Sequence, residues 1–155
     1  KDEMSDWKTY RNEEYGFEVK YPIKASANEI QGNPIWGFYD KDLELSVQIY
    51  VYENVSNDKT LESLIENEDG VGNPIYIANY SKNDYQEINI NGIRAFKYIN
   101  HLNSDKDSKK IGATTLFLKE KYYYQIVTGS QYAPEFINER EKKYNIFIQT
   151  FKFIK

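Results

Sequence analysis

His101 is the single histidine among 155 residues, so any Ser-His-Asp hydrolase built on this chain would have to use it. It is followed by Asn103-Ser104-Asp105-Lys106-Asp107-Ser108, whose aspartates lie close in sequence. Closeness in sequence does not make a triad, and no G-x-S-x-G turn is present to present a nucleophile. His101 is therefore read as a solvated loop histidine. Asp105 and Asp107 alternate as the ligands of calcium loops do, and Asp40, Asp42 and Glu44 repeat the pattern. A calcium-binding EF-hand also needs a central glycine and a distal glutamate, and neither falls at the required spacing. Both sets are read as charged turns, and no metal is assigned to them. Glycoside hydrolysis needs two acids facing one sugar bond, an arrangement that abundant carboxylates alone do not provide. A carboxylate-based hydrolase is the third of three functional readings. Gly70-Val71-Gly72-Asn73-Pro74 is no phosphate loop, since it lacks the Lys-Ser/Thr ending and Pro74 removes an N–H donor. Asn54-Val55-Ser56 and Asn79-Tyr80-Ser81 match the glycosylation sequon, which matters only in a host that has the machinery. The absence of cysteine excludes a thiol nucleophile, disulfides and Cys-ligated zinc. No catalytic residue and no cofactor is assigned, and the chain is read as non-enzymatic.

Aromatic content is the unusual feature. Fifteen tyrosines and two tryptophans exceed what a core of this size needs. Several fall on polar faces or in loops, and Trp36, Tyr39, Tyr50, Tyr52, Tyr122 and Tyr124 form the candidate interaction surface. Tyrosine joins a large apolar area to a hydroxyl at low entropic cost, which suits protein interfaces. Flat rings also stack on sugars, so a glycan or small-molecule module using Trp36 and Tyr39 is the alternative. The opposing reading buries these rings in a second core layer beneath a helix.

A formal charge of −4 argues against a nucleic-acid partner, because phosphate neutralisation needs a basic face. No run approaches the roughly 18 apolar residues of a membrane-spanning helix.

The elements that position these residues read as an α+β domain. Phe17, Val19 and Tyr21 alternate with Glu18 and Lys20 after a polar corner ending in Gly16, and Pro22 stops the ladder. Ile23–Pro34 reads as a loop, and Ile35–Tyr39 as a short apolar strand. Leu43–Tyr52 has Leu45, Val47, Ile49 and Val51 on one face, with Tyr50 and Tyr52 on the other. A helix capped within Asn57–Thr60 carries Leu61, Leu64 and Ile65 on one side. Ile75–Tyr80 is a further strand candidate. Four strands then follow through short connections from Tyr85 to Thr128, with Asn91-Gly92 as a type I′ turn, which predicts an antiparallel meander. Pro134 suits the first turn of a closing helix whose Ile137, Tyr144, Phe147, Ile148 and Phe151 recur at three- and four-residue spacing, with Glu139, Arg140, Lys142 and Lys143 mostly elsewhere. The expected architecture is an antiparallel sheet of about six to eight strands, rich in meanders and covered by helices.

Trp7 through Pro22, with its Y-x-N-E-E-Y-G-F-x-V-K-Y-P run, resembles the opening of bacterial PsbP-like domains, whose fold DcrB-like proteins share. Ile148-Gln149-Thr150-Phe151-Lys152-Phe153 resembles their closing helix and T-F-x-F tail. The resemblance covers nearly the whole chain and implies a PsbP-like sandwich with both sheet faces covered. It implies no shared activity and transfers no catalytic residue. It further implies a secreted or lipid-anchored, extracytoplasmic protein that binds or scaffolds another envelope protein or a glycan. Lys1–Asp6 is charged and starts without Met, so it is read as a linker behind a removed segment, with residues 7–155 as one domain. A signal or lipoprotein leader and a cloning boundary would both leave such a start; the resemblance favours the leader.

Overall fold

The alternation that is plainest in the sequence forms the middle of the molecule. The computed structural model describes residues 3–54, 60–66, 85–102, 110–130 and 136–154. In it, β5 (Leu45–Glu53) buries Leu45, Val47, Ile49 and Val51 on one face and leaves the intervening residues half-buried. On one side of β5 lie β4 (Trp36–Asp40) and then β3 (Ser26–Glu29); on the other follow β9 (Tyr122–Ser130), β8 (Lys110–Lys119), β7 (Ile93–Leu102) and β6 (Gln86–Ile90). All neighbours in this seven-stranded sheet are antiparallel, and β6 to β9 form the expected meander. A second sheet of three strands pairs β2 (Phe17–Tyr21) with β1 (Lys8–Asn12) on one side and β10 (Lys152–Phe153) on the other.

Local chemistry sets the turns. Asn91 and Gly92 both take positive φ, 50° and 91°, as a type I′ hairpin requires. The Asn91 amide also donates to the carbonyls of Gln149 and Phe151, so this turn satisfies acceptors at the end of the last helix. In the β1–β2 turn Asn12 Oδ1 accepts the Tyr15 N–H at 2.9 Å, and Gly16 sits at φ 65°. Helix α1 (Leu61–Glu66) starts with a reciprocal cap in which Thr60 and Ser63 each accept the other's backbone N–H through the hydroxyl.

Helix α2 (Ile137–Gln149) and the small sheet together cover one face of the large sheet, called inner here. Tyr144, Phe147 and Ile148 of α2, with Phe151 beyond it, meet Phe17 and Val19 of β2 and the buried rows of β4, β5, β8 and β9 in one core. Each fully buried Phe or Ile there stabilises the fold by about 1.5–3 kcal/mol. On the outer face, α1 places Leu61, Leu64 and Ile65 over Phe96, Leu116 and Tyr123. The α+β class and the covering helices are as read from the sequence.

Four details differ. Ser26–Glu29, expected in a loop, pairs with β4 as an edge strand, and with β10 this brings the described strands to ten. Leu43 and Glu44 belong to a turn, Glu44 at φ 49°, so β5 starts two residues later than expected. Arg140, expected on the polar side of α2, is buried; its Nε donates to the Leu43 carbonyl and its guanidinium lies 3.6 Å from Glu44. His101 lies within β7, opposite Ile111, instead of in a loop. Asp105, Asp107, Gly70–Pro74, Ile75–Tyr80 and Pro134 fall outside the described residues.

Gly37 in β4 shows how closely the sheet is built. A Cβ there would stand 2.8 Å from the Val47 carbonyl oxygen across the ladder, a backbone atom with little room to yield. Gly37→Ala is expected to destabilise the fold by about 1–3 kcal/mol, the cost typical of overpacking. Urea unfolding measures it, and an unchanged midpoint would contradict the close approach.

Candidate interaction surface

The six aromatic residues singled out from the sequence do not form one surface. Trp36 is 2% exposed and Tyr124 is 1% exposed, so both belong to the core, and the expectation that they face partners is corrected. Parity is the cause: Trp36, Phe38 and Asp40 point inward from β4, while Tyr39, between Phe38 and Asp40, points outward. The Trp36 ring stacks on Tyr10 at 4.5 Å and lies near Tyr21, Phe38 and Phe147, filling the space between the two sheets. Tyr124 stacks on Phe117 at 5.0 Å and passes its hydroxyl to the Tyr15 carbonyl. Burial pushes its pKa well up, so it stays a neutral donor.

Tyr50 and Tyr52 leave β5 on the outer face, half-buried, and make a ladder with Tyr123 of β9. Tyr50 and Tyr52 are near parallel at 6.2 Å, and Tyr52 lies 5.1 Å from Tyr123, its partner in register. Tyr123 is buried under α1, and burial, with Tyr52 beside it, pushes its pKa up to about 12. The second core layer on this face therefore accounts for Tyr123 and, in part, Tyr52. Tyr122 packs half-buried at the end of the sheet, edge-on to Tyr15 at 5.2 Å.

Tyr39 remains exposed, at 38%, and it has company. Among the described residues the exposed large hydrophobics are Ile23, Ile30 and Tyr39. Ile23 precedes edge strand β3, Ile30 follows it directly, and Tyr39 stands opposite Ser26 across the β3–β4 ladder. The two isoleucines were hidden in a stretch whose Asn, Ser and Gly content reads as loop; two large apolar residues in such a stretch were the available signal.

The acidic set Asp40, Asp42 and Glu44 does not converge. Asp40 is buried, accepts the N–H groups of Asp42 and Leu43, and pairs with Lys143 at 3.2 Å. Asp42 faces Lys24 and Glu44 faces Arg140, so each carboxylate has its own cation. Among the described residues no three His, Cys, Asp or Glu side chains gather as a metal site would need.

No protein-family model and no curated protein matches the sequence. Solved structures do match. The solution structure of cyanobacterial PsbP (CyanoP) from Synechocystis superposes with a TM-score of 0.67 at 10% identity, covering 98% of this chain and 95% of that one. The fold is PsbP-like. LpqN, involved in cell envelope biogenesis of Mycobacterium tuberculosis, gives 0.59 at 9% identity over 96% of this chain and 91% of its own. The Saccharomyces cerevisiae Ran-binding protein Mog1p gives 0.57 at 10% identity over 96% of both chains. The PsbP-like fold thus accommodates very different sequences. Among the described residues no helix is long and apolar enough to cross a membrane.

Proposed function

We propose that residues 7–155 are one non-enzymatic, extracytoplasmic domain that docks another envelope protein through the β3–β4 edge. The observation that carries this reading is that the exposed large hydrophobics among the described residues, Ile23, Ile30 and Tyr39, all lie on or beside the β3–β4 edge. Edge strands offer unpaired backbone groups, and large apolar side chains left in water beside one are a recognised mark of an interaction site. Rigid strands hold Tyr39, so little ordering entropy would oppose binding. Fold neighbours include a protein that is Ran-binding by name and one involved in cell envelope biogenesis, which supports the class of role without naming a partner. The glycan reading ranks second because Trp36, one of its two rings, is buried.

The test is a photo-crosslinking amino acid placed at Tyr39, with a control at exposed Thr9, exposed to an envelope extract. One saturable protein adduct at position 39 is expected, lost when Ile23→Ser and Ile30→Ser are combined. Adducts equal at both positions, or unaffected by those changes, would overturn the docking edge; recovery of glycan alone would replace it with the second reading.

A further inference from the structure

A crevice of about 210 Å³ opens where the β1–β2 turn, the β8–β9 turn and the end of the chain after β10 meet. Its aromatic lining is Tyr15, Tyr122, Tyr124 and Phe153. Tyr15 and Tyr122 meet edge to face, and Tyr124 and Phe153 do the same at 5.2 Å, so the corner is stiff. Glu13, Glu14 and Glu120 stand at the rim with Lys119, and the Lys121 ammonium, paired with Glu53, lies beside it over Tyr122. Glu13 is engaged by Arg11, while Glu14 and Glu120 take part in no ion pair among the described residues. The Tyr15 pKa is raised by burial and by the negative charge of Glu14 and Glu53, a sign of the local potential.

The chain's own lysines already display the chemistry of this corner. Lys119 Nζ lies 5.7 Å over the Phe153 ring and Lys121 Nζ lies 5.0 Å over Tyr122. Aromatic faces attract ammonium and guanidinium groups through the ring quadrupole, and nearby carboxylates add to the attraction. The volume is below the roughly 300 Å³ at which small-molecule sites begin, which suits a single side-chain head better than a sugar or a nucleotide. We propose that this crevice receives the ammonium or guanidinium head of a basic side chain on a partner protein, with Lys119 as the internal cation that it displaces. The source of the cation rests on the protein-docking reading above; the chemistry of the crevice does not.

The probe is N-acetyl-lysine methylamide, titrated in the millimolar range against the whole chain and followed by amide and aromatic NMR shifts. Saturable shifts are expected at Gly16, Glu120 and Tyr122, with none for the uncharged norleucine analogue. Combining Glu14→Gln with Glu120→Gln should weaken binding about fivefold, as loss of two exposed carboxylates allows. Lys119→Gln should strengthen it about threefold, because the internal competitor is gone. These opposite signs separate a cation site from a structural corner, and circular dichroism confirms that each variant is folded. Equal shifts with the norleucine analogue, binding of tetramethylammonium but not of the lysine amide, or no gain in Lys119→Gln would overturn the proposal. Because the probe is free in solution, failure here leaves the β3–β4 edge untouched, and failure of the crosslinking experiment leaves the crevice standing.

Discussion

Phe151→Ala is expected to lower the unfolding free energy by about 3–5 kcal/mol, as removal of a large buried aromatic does. Phe151 is fully buried and lies where three layers meet. It stacks on Phe17 of β2 at 4.8 Å and meets Phe117 of β8 edge-on at 4.9 Å, with Tyr124 and Phe153 also within 6 Å. Its backbone is held independently, by the N–H to the Ile148 carbonyl and by the carbonyl to Asn91. The main chain therefore has little freedom to collapse into the space left by the ring, and the cavity term should stay near its full size. Small proteins have about 5–15 kcal/mol in total, so the variant should be close to the limit of folding. Urea denaturation of Phe151→Ala beside Phe151→Leu measures this; a loss below about 1 kcal/mol for the alanine would show that the junction is less tightly built than its distances say.

Alkali should unfold this protein sooner than it would one with exposed tyrosines. Burial pushes the pKa of Tyr144, Tyr124 and Tyr123 above the ordinary value of 10, in Tyr123 up to about 12. A raised pKa means that the folded form holds its proton more tightly than the unfolded chain does. The resulting stabilisation is complete below pH 10 and is lost as pH rises from there through 12, since only the unfolded chain ionises readily. Tyr144 should dominate. Its hydroxyl is bonded to the Ile126 carbonyl at 3.0 Å and to Thr115 at 2.8 Å inside the core, and a phenolate there would face a carbonyl oxygen with no proton between them. Tyrosinate absorbance and circular dichroism should show two phases, the exposed rings first and the buried ones together with loss of structure. A single phase near pH 10 in which all fifteen tyrosines ionise while the fold persists would contradict this.

The parts legible in the sequence are those governed by local physics. The alternation of β5, the Asn91-Gly92 turn and a helix cap within Asn57–Thr60 each depend on a few adjacent residues and are readable; that Thr60 is the one of the four that caps is shown by the structure. Trp36 and Tyr124 were misplaced for a specific reason. Ile35–Tyr39 and Tyr122–Tyr124 are apolar or aromatic at every position, so the period of two that assigns faces is invisible in them. Only pairing with β5 fixes their parity. Strand β3 was missed because Ser26-Ala27-Asn28-Glu29 has little intrinsic preference for extended structure; at an edge it needs only one partner and one small side chain, Ala27, against the core. Pairs such as Asp40–Lys143, separated by 103 residues, leave no mark in either segment. The crevice is of the same kind, joining three distant parts of the chain.

The small sheet takes β1 and β2 from near the start of the chain and β10 from near its end, and Ile154 N–H bonds to the Gly16 carbonyl across that join. During synthesis on the ribosome, the first hairpin leaves the exit tunnel before the strands and the helix that bury Phe17 and Val19. Strand β10 and Phe151, whose ring stacks on Phe17, follow only after the intervening strands have been made. Contacts between residues so distant in sequence make for slow closure of this sheet. The β1–β2 hairpin can therefore form early, but its sheet is completed only by the last strand of the fold.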